Sequence, residues 1–113
     1  MDDERLKEAE ARSAIAVRIR ELLKQVVPEN WIEAQLEVAA CQADDRLCEI
    51  VGPIRNQDSL EEIHDLPVGI LDAVEDYLLL NVSYNICCTR YIFRLGTYTT
   101  SSKKYIGVQY FYD

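Results

Sequence analysis

The chain has 113 residues, a formal net charge of −8 at pH 7 and a pI near 4.6. That length suits one compact domain, and with 49% hydrophobic residues the chain can bury a core and fold without disulfides. So acidic a chain is excluded as a direct binder of nucleic acid, because the phosphate backbone would repel it.

The N-terminal segment is predicted to form a helix over about residues 3–26. Its apolar residues recur every three or four positions, which places them on one face of a helix. They are Leu6, Ala9, Ile15, Ala16, Ile19, Leu22, Leu23 and Val26. Pro28 ends the helix, because the residue before a proline avoids helical backbone angles.

The N-terminal segment lacks the basic start and apolar run of a signal peptide, and no stretch of the sequence reaches the ~20 apolar residues that span a bilayer. We therefore expect a cytoplasmic protein that does not enter membranes.

Two strands are predicted to follow, with Trp31 seating the helix against their sheet. From residue 32 to residue 41 apolar and polar residues alternate, as in a strand with one buried face. The inward positions are Ala34, Leu36, Val38 and Ala40. Residues 46–51 are predicted to return as a second strand, with Cys48 and Ile50 inward and Glu49 facing water. Gly52-Pro53 should end that strand, which leaves residues 54–56 as a short third strand or a loop.

The stretch from residue 58 to residue 76 is strongly acidic. It contains no Lys or Arg, and none lies anywhere between Arg55 and Arg90. Its seven carboxylates are Asp58, Glu61, Glu62, Asp65, Asp72, Glu75 and Asp76. A patch of one sign creates a directional field that attracts cationic partners. These seven residues are therefore the candidate partner-binding site, and the alternative is a solvated acidic helix face.

A second helix is predicted from about residue 66 to residue 84. Asp65-Leu66-Pro67 is a start signal, because a proline in the first turn needs no hydrogen-bonded N–H. The predicted buried stripe comprises Ile70, Leu71, Val74, Tyr77 and Leu78, with Val82 at its margin. The opposite, polar face comprises Asp72, Glu75, Asp76 and Asn81.

The C-terminal part is predicted to form an antiparallel hairpin of residues 88–97 and 103–112, joined by a turn at 99–102. The order α-β-β-α-β-β predicts one α+β domain at residues 1–113, an antiparallel sheet of four to five strands with two helices packed on one face. Both phases of the last strands carry aromatic residues, so some must lie away from the core. They belong either to an interface or to cross-strand packing.

Residues able to carry catalysis are few. His64 is the only histidine, and it lies beside Asp65 and three residues after Glu61, so a carboxylate–histidine pair is conceivable; a surface histidine is the common alternative. The four cysteines do not have zinc-site spacing, and no GxSxG, phosphate-loop or calcium-loop pattern is present. The sequence therefore favours a binding protein over an enzyme, with no catalytic residues, cofactor or metal.

Two motifs carry a resemblance to a known family. The first helix leads through Val26-Val27 into Pro28-Glu29-Asn30-Trp31 and directly into a strand, and the last strand is Val108-Gln109-Tyr110-Phe111-Tyr112-Asp113. This pattern resembles the YezG-like immunity proteins of bacterial polymorphic and contact-dependent toxin systems. Ser102-Lys103-Lys104 replaces the Gly-Lys turn common in that family. The matching residues are interpreted as structural.

The resemblance implies a small cytoplasmic antitoxin that binds the toxic domain of a secreted effector, often a nuclease, and holds it inactive. The inhibitory residues are inferred from charge: a nuclease presents a basic groove, which the seven carboxylates could meet. We expect a monomer or weak dimer. The alternatives are an acidic secretion chaperone, which should be a dimer and bind an extended client segment, and a small enzyme that uses His64.

Overall fold

A computed structural model of the chain describes residues 2–43, 46–83 and 89–112. The elements are α1 (Asp2–Lys24), β1 (Ala34–Ala43), β2 (Arg46–Asn56), β3 (Glu62–Ile63), α2 (Ile70–Ser83), β4 (Arg90–Thr97) and β5 (Lys104–Phe111). The strands form one antiparallel sheet in the order β3-β2-β1-β4-β5. This confirms the predicted α+β fold, with β3 as an additional short strand. The predicted helix end at Tyr84 and strand start at Cys88 lie outside the described residues.

One face of the sheet packs against both helices. Leu36 of β1 lies beside Phe93 of β4, which in turn lies beside Val108 of β5, so the three side chains share this face. Ile19 of α1 and Leu78 of α2 are fully buried against it. The predicted inward positions of β1 are therefore correct. Trp31 is buried in the same core, as expected for a side chain that seats α1 on the sheet.

The two helices run antiparallel and contact each other along their length. Arg12 of α1 binds Asn81 near the end of α2, and Arg18 binds Asp76 one turn earlier in α2. At the other end, Leu22 lies 3.9 Å from the position a Cβ would take at Gly69, whose φ of 91° favours glycine. The N-terminal third of α1 extends beyond the core. Leu6 and Ala9, predicted to be buried, are exposed there.

Strand β2 differs from its predicted form because it contains a bulge. Leu36 pairs with Ile54 but Val38 pairs with Val51, so Gly52-Pro53 together oppose Glu37 alone. The bulge accommodates Pro53 inside the strand, and β2 therefore continues to Asn56. The extra residue also exchanges the faces of the sheet to which the side chains of β2 before the bulge point. The predicted orientation was wrong: Cys48 and Ile50 are exposed on the open face of the sheet, and Glu49 lies on the helix side.

Helix α2 starts at Ile70 rather than near residue 66, and two of its predicted orientations are wrong. Leu71 is 53% exposed although it was placed in the buried stripe. Asn81 was placed on the polar face but is fully buried. Its side-chain carbonyl accepts hydrogen bonds from Arg12 Nε and Nη2 at 3.1 and 3.0 Å, and its amide donates to the Tyr91 hydroxyl at 3.3 Å. Because these partners satisfy the buried amide, a polar residue can face inward here.

The C-terminal aromatic residues divide between the two faces of the sheet. Tyr110 packs edge-on against Tyr77 and Tyr91 on the core side, and its hydroxyl lies 2.6 Å from that of Tyr77. Burial, followed by this hydrogen bond, raises the pKa of Tyr77. Phe111 lies on the open face, where Arg90 stacks over its ring at 4.2 Å. The expectation that some aromatics lie away from the core is thereby confirmed.

Tyr105 also lies on the open face, directly over Gly96. A Cβ at Gly96 would stand 2.2 Å from the Tyr105 ring, so only glycine lets this ring lie across β4. The ring also contacts Tyr98, with 4.9 Å between centroids. Cross-strand packing therefore accounts for part of the aromatic content of the hairpin.

No helix among the described residues is both long and apolar enough to cross a bilayer.

Replacing Asn81 with leucine should destabilise the protein by roughly 1–3 kcal/mol, because Arg12 and Tyr91 would lose a buried hydrogen-bond partner. Urea denaturation would measure the loss. The matched control is Asn30→Leu at an exposed position, which should change stability by less than about 0.5 kcal/mol. Equal stability of the Asn81→Leu variant and the unmodified protein would contradict this role.

Candidate functional site

All seven carboxylates predicted to bind a partner are exposed, and they fall into two groups. The β3 group surrounds β3 and comprises Asp58, Glu61, Glu62 and Asp65. The α2 group lies on α2 and comprises Asp72, Glu75 and Asp76. Neither group projects into the core, so every one of these side chains can meet another molecule.

Local hydrogen bonds hold the turn that carries the β3 group. The backbone N–H of Asp58 donates to the Asn56 side-chain oxygen at 3.0 Å. The N–H of Glu61 donates to the Ser59 hydroxyl, which in turn donates to the Glu61 carboxylate, both at 3.2 Å. Polar side chains of this kind favour turns because they bond to their own backbone. The turn thereby brings β3 back against β2, where Glu62 pairs with Arg55 and Ile63 with Ile54.

The α2 group occupies the outer face of its helix. Positions 72, 75 and 76 lie within one arc of about 100° in a helix of 3.6 residues per turn. The buried positions Ile70, Val74 and Tyr77 lie on the opposite side. Asp72 is central in the arc, Asp76 lies on the side toward α1, and Glu75 lies on the side toward β2. The predicted polar face is therefore correct for these three residues.

Glu49 of β2 joins the acidic residues, although strand alternation predicts that its side chain lies on the other face of the sheet. It lies on the helix side of β2, close enough to Glu75 for the two charges to repel. Partial burial, and secondly the charge of Glu75, raise the pKa of the Glu49 carboxyl. Glu49 thus links α2 to β2. Val51, which packs on the core two residues later, was the signal in the sequence that could have placed it.

Both groups of carboxylates lie around β2. Strand β3 pairs with its free edge, and α2 contacts it on the helix side. We use the name acidic flank for the β3 group, the α2 group and Glu49 together. The β3 group thus lies at the β3 edge of the sheet, and the α2 group lies on the outer face of the helix that contacts β2.

Two arginines enter the acidic flank from elsewhere in the chain. Arg18 of α1 forms an ion pair with Asp76 at 2.7 Å, and Arg55 of β2 forms one with Glu62 at 3.0 Å. Both pairs are exposed, so each contributes little stability but neutralises its carboxylate. The remaining members of the flank form no ion pair within the described part of the chain. They are Glu49, Asp58, Glu61, Asp65, Asp72 and Glu75.

Exposed apolar side chains accompany these carboxylates. Leu60 and Val68, in the segments before and after β3, are 99% and 94% exposed. Leu71 and Leu79 on α2 are 53% and 47% exposed, and Leu79 lies in the same arc as Asp72. Exposed apolar side chains also occur at Leu6, Ile32 and Ile50, but here they stand among carboxylates, and a protein interface combines apolar contacts with a polar rim. The sequence reasoning missed this feature, because exposed leucines and valines have no pattern of their own.

The geometry around His64 offers no catalytic pair among the described residues. Its side chain is 74% exposed, and the nearest carboxylate oxygen, from Glu62, lies 3.9 Å away, which is beyond hydrogen-bond distance. Cys48 is exposed on the opposite face of the sheet. Within the described segments no three His, Cys, Asp or Glu side chains are arranged to hold a metal ion. The exposed carboxylates of the acidic flank can form charge-assisted hydrogen bonds with a cationic group of another molecule.

Comparisons with protein-family models and with curated proteins identify no relative of the chain. No protein-family model matches the chain, and no curated protein matches it significantly.

Glu49→Gln should slightly stabilise the protein at pH 7, by no more than about 0.5 kcal/mol, because it removes a partly buried charge and, secondly, the repulsion between that charge and Glu75. A carboxyl whose pKa is raised by folding destabilises the fold once the pH exceeds its unfolded pKa. The gain should therefore vanish at acidic pH, where Glu49 is protonated in both states. Denaturation measured between pH 3 and pH 7 would test this. The control, Glu10→Gln on the exposed part of α1, should show no such pH-dependent gain.

A gain that stays constant from pH 3 to pH 7 would contradict the electrostatic origin of the effect. A loss of stability at pH 7 would contradict the proximity of Glu49 and Glu75.

Proposed function

We propose that the chain is a cytoplasmic immunity protein, which binds the toxic domain of a secreted bacterial effector and holds it inactive. The toxic domain in this proposal is a nuclease, and the acidic flank is the surface that binds it. The observation that carries the proposal is a set of unpaired carboxylates interspersed with nearly fully exposed apolar side chains. The resemblance to YezG-like immunity proteins agrees with it.

The negative charge of the acidic flank supports the proposal of a basic protein as the partner. A nuclease must present Lys and Arg side chains to hold phosphates, so its groove attracts a surface such as the acidic flank. Complementary charge raises the rate of association by steering the two proteins together. Rapid capture is an advantage for an inhibitor, because an uninhibited toxin acts on the host cell until it is bound.

The exposed apolar residues support a lasting complex rather than a transient encounter. Burying Leu60 and Val68 would remove two almost fully exposed side chains from water, at roughly 1.5–3 kcal/mol for each when burial is complete. The turn that carries Asp58 and Glu61 is held by its own hydrogen bonds, so less conformational entropy would be lost when it binds. Charge would then govern association, and apolar contact would govern dissociation.

Neutralising three unpaired carboxylates, in the variant Asp65→Asn, Asp72→Asn and Glu75→Gln, should weaken binding to the cognate toxin domain. We expect a Kd about tenfold or more higher, mainly through slower association, and a weaker dependence of association on salt. Surface plasmon resonance at two ionic strengths would measure both rates. These side chains lie outside the core, so the variant should fold normally.

The matched control is the variant Asp3→Asn, Glu4→Gln and Glu10→Gln, which removes the same number of charges from the exposed start of α1. Its affinity should remain near that of the unmodified protein. Equal weakening by both variants would mean that only net charge matters, and no weakening by either would remove the acidic flank as the site. A dimer that binds its client without inhibiting it would instead identify a secretion chaperone.

A further inference from the structure

A second site candidate lies at the opposite end of the molecule, where the protein is locally basic. A cleft of about 800 Å³ opens between the C-terminal half of α1 and the β4–β5 turn. Four of the chain's 12 basic side chains line it, namely Arg20, Lys24, Lys103 and Lys104. Val27 and Leu95, both buried, lie among its lining residues, and Glu29 is the only carboxylate that lines it among the residues that the structure describes.

Lys104 holds the walls of the cleft together. Its ammonium group donates to the backbone carbonyls of Glu29 and Trp31 at 3.1 and 2.9 Å, and to the Thr97 hydroxyl at 2.6 Å. These bonds use its three donors and fix β5 to the connection that follows α1. Lys104 is therefore a positioning residue that contributes charge to the cleft without offering a free donor.

The other three cations keep donors for a ligand. Arg20 and Lys24 share the single carboxylate of Glu21, each at 3.3 Å, on an exposed part of α1. The Lys103 side chain forms no hydrogen bond or ion pair with the described residues, and it stands at the β4–β5 turn across the cleft from α1. Positive charge is thus supplied from two walls, so an anion between them would be contacted on both sides.

The net charge of −8 does not cancel this local field. The β3 group of the acidic flank lies at the far edge of the sheet from the cleft, because four inter-strand spacings of about 4.8 Å separate β3 from β5. That distance of roughly 19 Å exceeds the Debye length of about 8 Å at physiological ionic strength. Around the cleft itself the four cations Arg20, Lys24, Lys103 and Lys104 outnumber two carboxylates, Glu29 in the lining and Glu21 beside Arg20 and Lys24.

We propose that this cleft binds a small molecule that carries two or more phosphate groups. Its volume lies within the roughly 300–1,000 Å³ typical of small-molecule sites, and a recessed site favours a small ligand over a macromolecule. Lys and Arg donors on both walls suit the several oxygens of linked phosphates, since charge-assisted hydrogen bonds are the strongest available here. The inference does not depend on a toxin partner, because the acidic flank takes no part in the cleft.

Isothermal titration with sodium tripolyphosphate would test the proposal. The unmodified protein should bind, and Lys24→Gln with Lys103→Gln should weaken binding by about tenfold or more. The matched control is Arg5→Gln with Lys7→Gln, which removes two cations from the exposed start of α1 and should leave the Kd unchanged. Lys24→Arg with Lys103→Arg should retain binding, because the charges remain.

Absence of binding by the unmodified protein would overturn the proposal, and so would equal weakening by the cleft variant and the control. Should the double glutamine variant fail to fold, Lys103→Glu alone serves instead, since that side chain has no partner among the described residues. It should weaken tripolyphosphate binding, and retained affinity would overturn the site. Toxin binding is measured separately at the acidic flank, so failure of one proposal is distinguishable from failure of the other.

Discussion

The bulge in β2 sets which side chains of that strand face the helices, and it brings Glu49 into the acidic flank. Because Gly52-Pro53 together oppose Glu37, the strand crosses this point with one extra residue and the side chains before it change faces. Ile54 and Val51 can then both contact the core, and Glu49 is brought beside Glu75 of α2. Without the bulge, alternation would direct Ile50 toward the helices and Glu49 toward the open face of the sheet.

The unpaired carboxylates and the basic cleft lie on different elements of the fold. Strand β3 and α2 hold the unpaired carboxylates, whereas β5 and the C-terminal half of α1 hold the basic cleft. At the interface between the helices, Arg18 pairs with Asp76 and Arg12 binds Asn81. These two arginines are therefore engaged in holding the helices together. A partner with a basic groove and a small phosphorylated ligand would therefore meet different regions and need not compete.

Local patterns in the sequence were sufficient for the element order and for the exposure of all seven predicted carboxylates. Alternation identified the inward face of β1, and helical spacing identified the outer face of α2. Local patterns could not predict contacts between residues that are distant in the sequence. Arg18 and Asp76 are 58 residues apart, and Arg12 and Asn81 are 69 residues apart. The burial of Asn81 and the exposure of Leu71 follow from that tertiary packing, as does the orientation of Glu49 from the bulge. Exposed apolar residues such as Leu60 and Val68 could not be recognised, because spacing alone does not distinguish a core residue from an interface residue.

The central claim is that the partner covers the acidic flank. Hydrogen exchange of the backbone amides, compared between the free chain and its complex with the toxin domain, tests this claim without altering any side chain. We predict slower exchange in the complex over residues 57–65 and 68–80, which carry the carboxylates and the exposed apolar side chains. Exchange at the β4–β5 turn, residues 98–103, should not change. Protection confined to that turn or to β5, with residues 57–65 exchanging as in the free chain, would contradict the account.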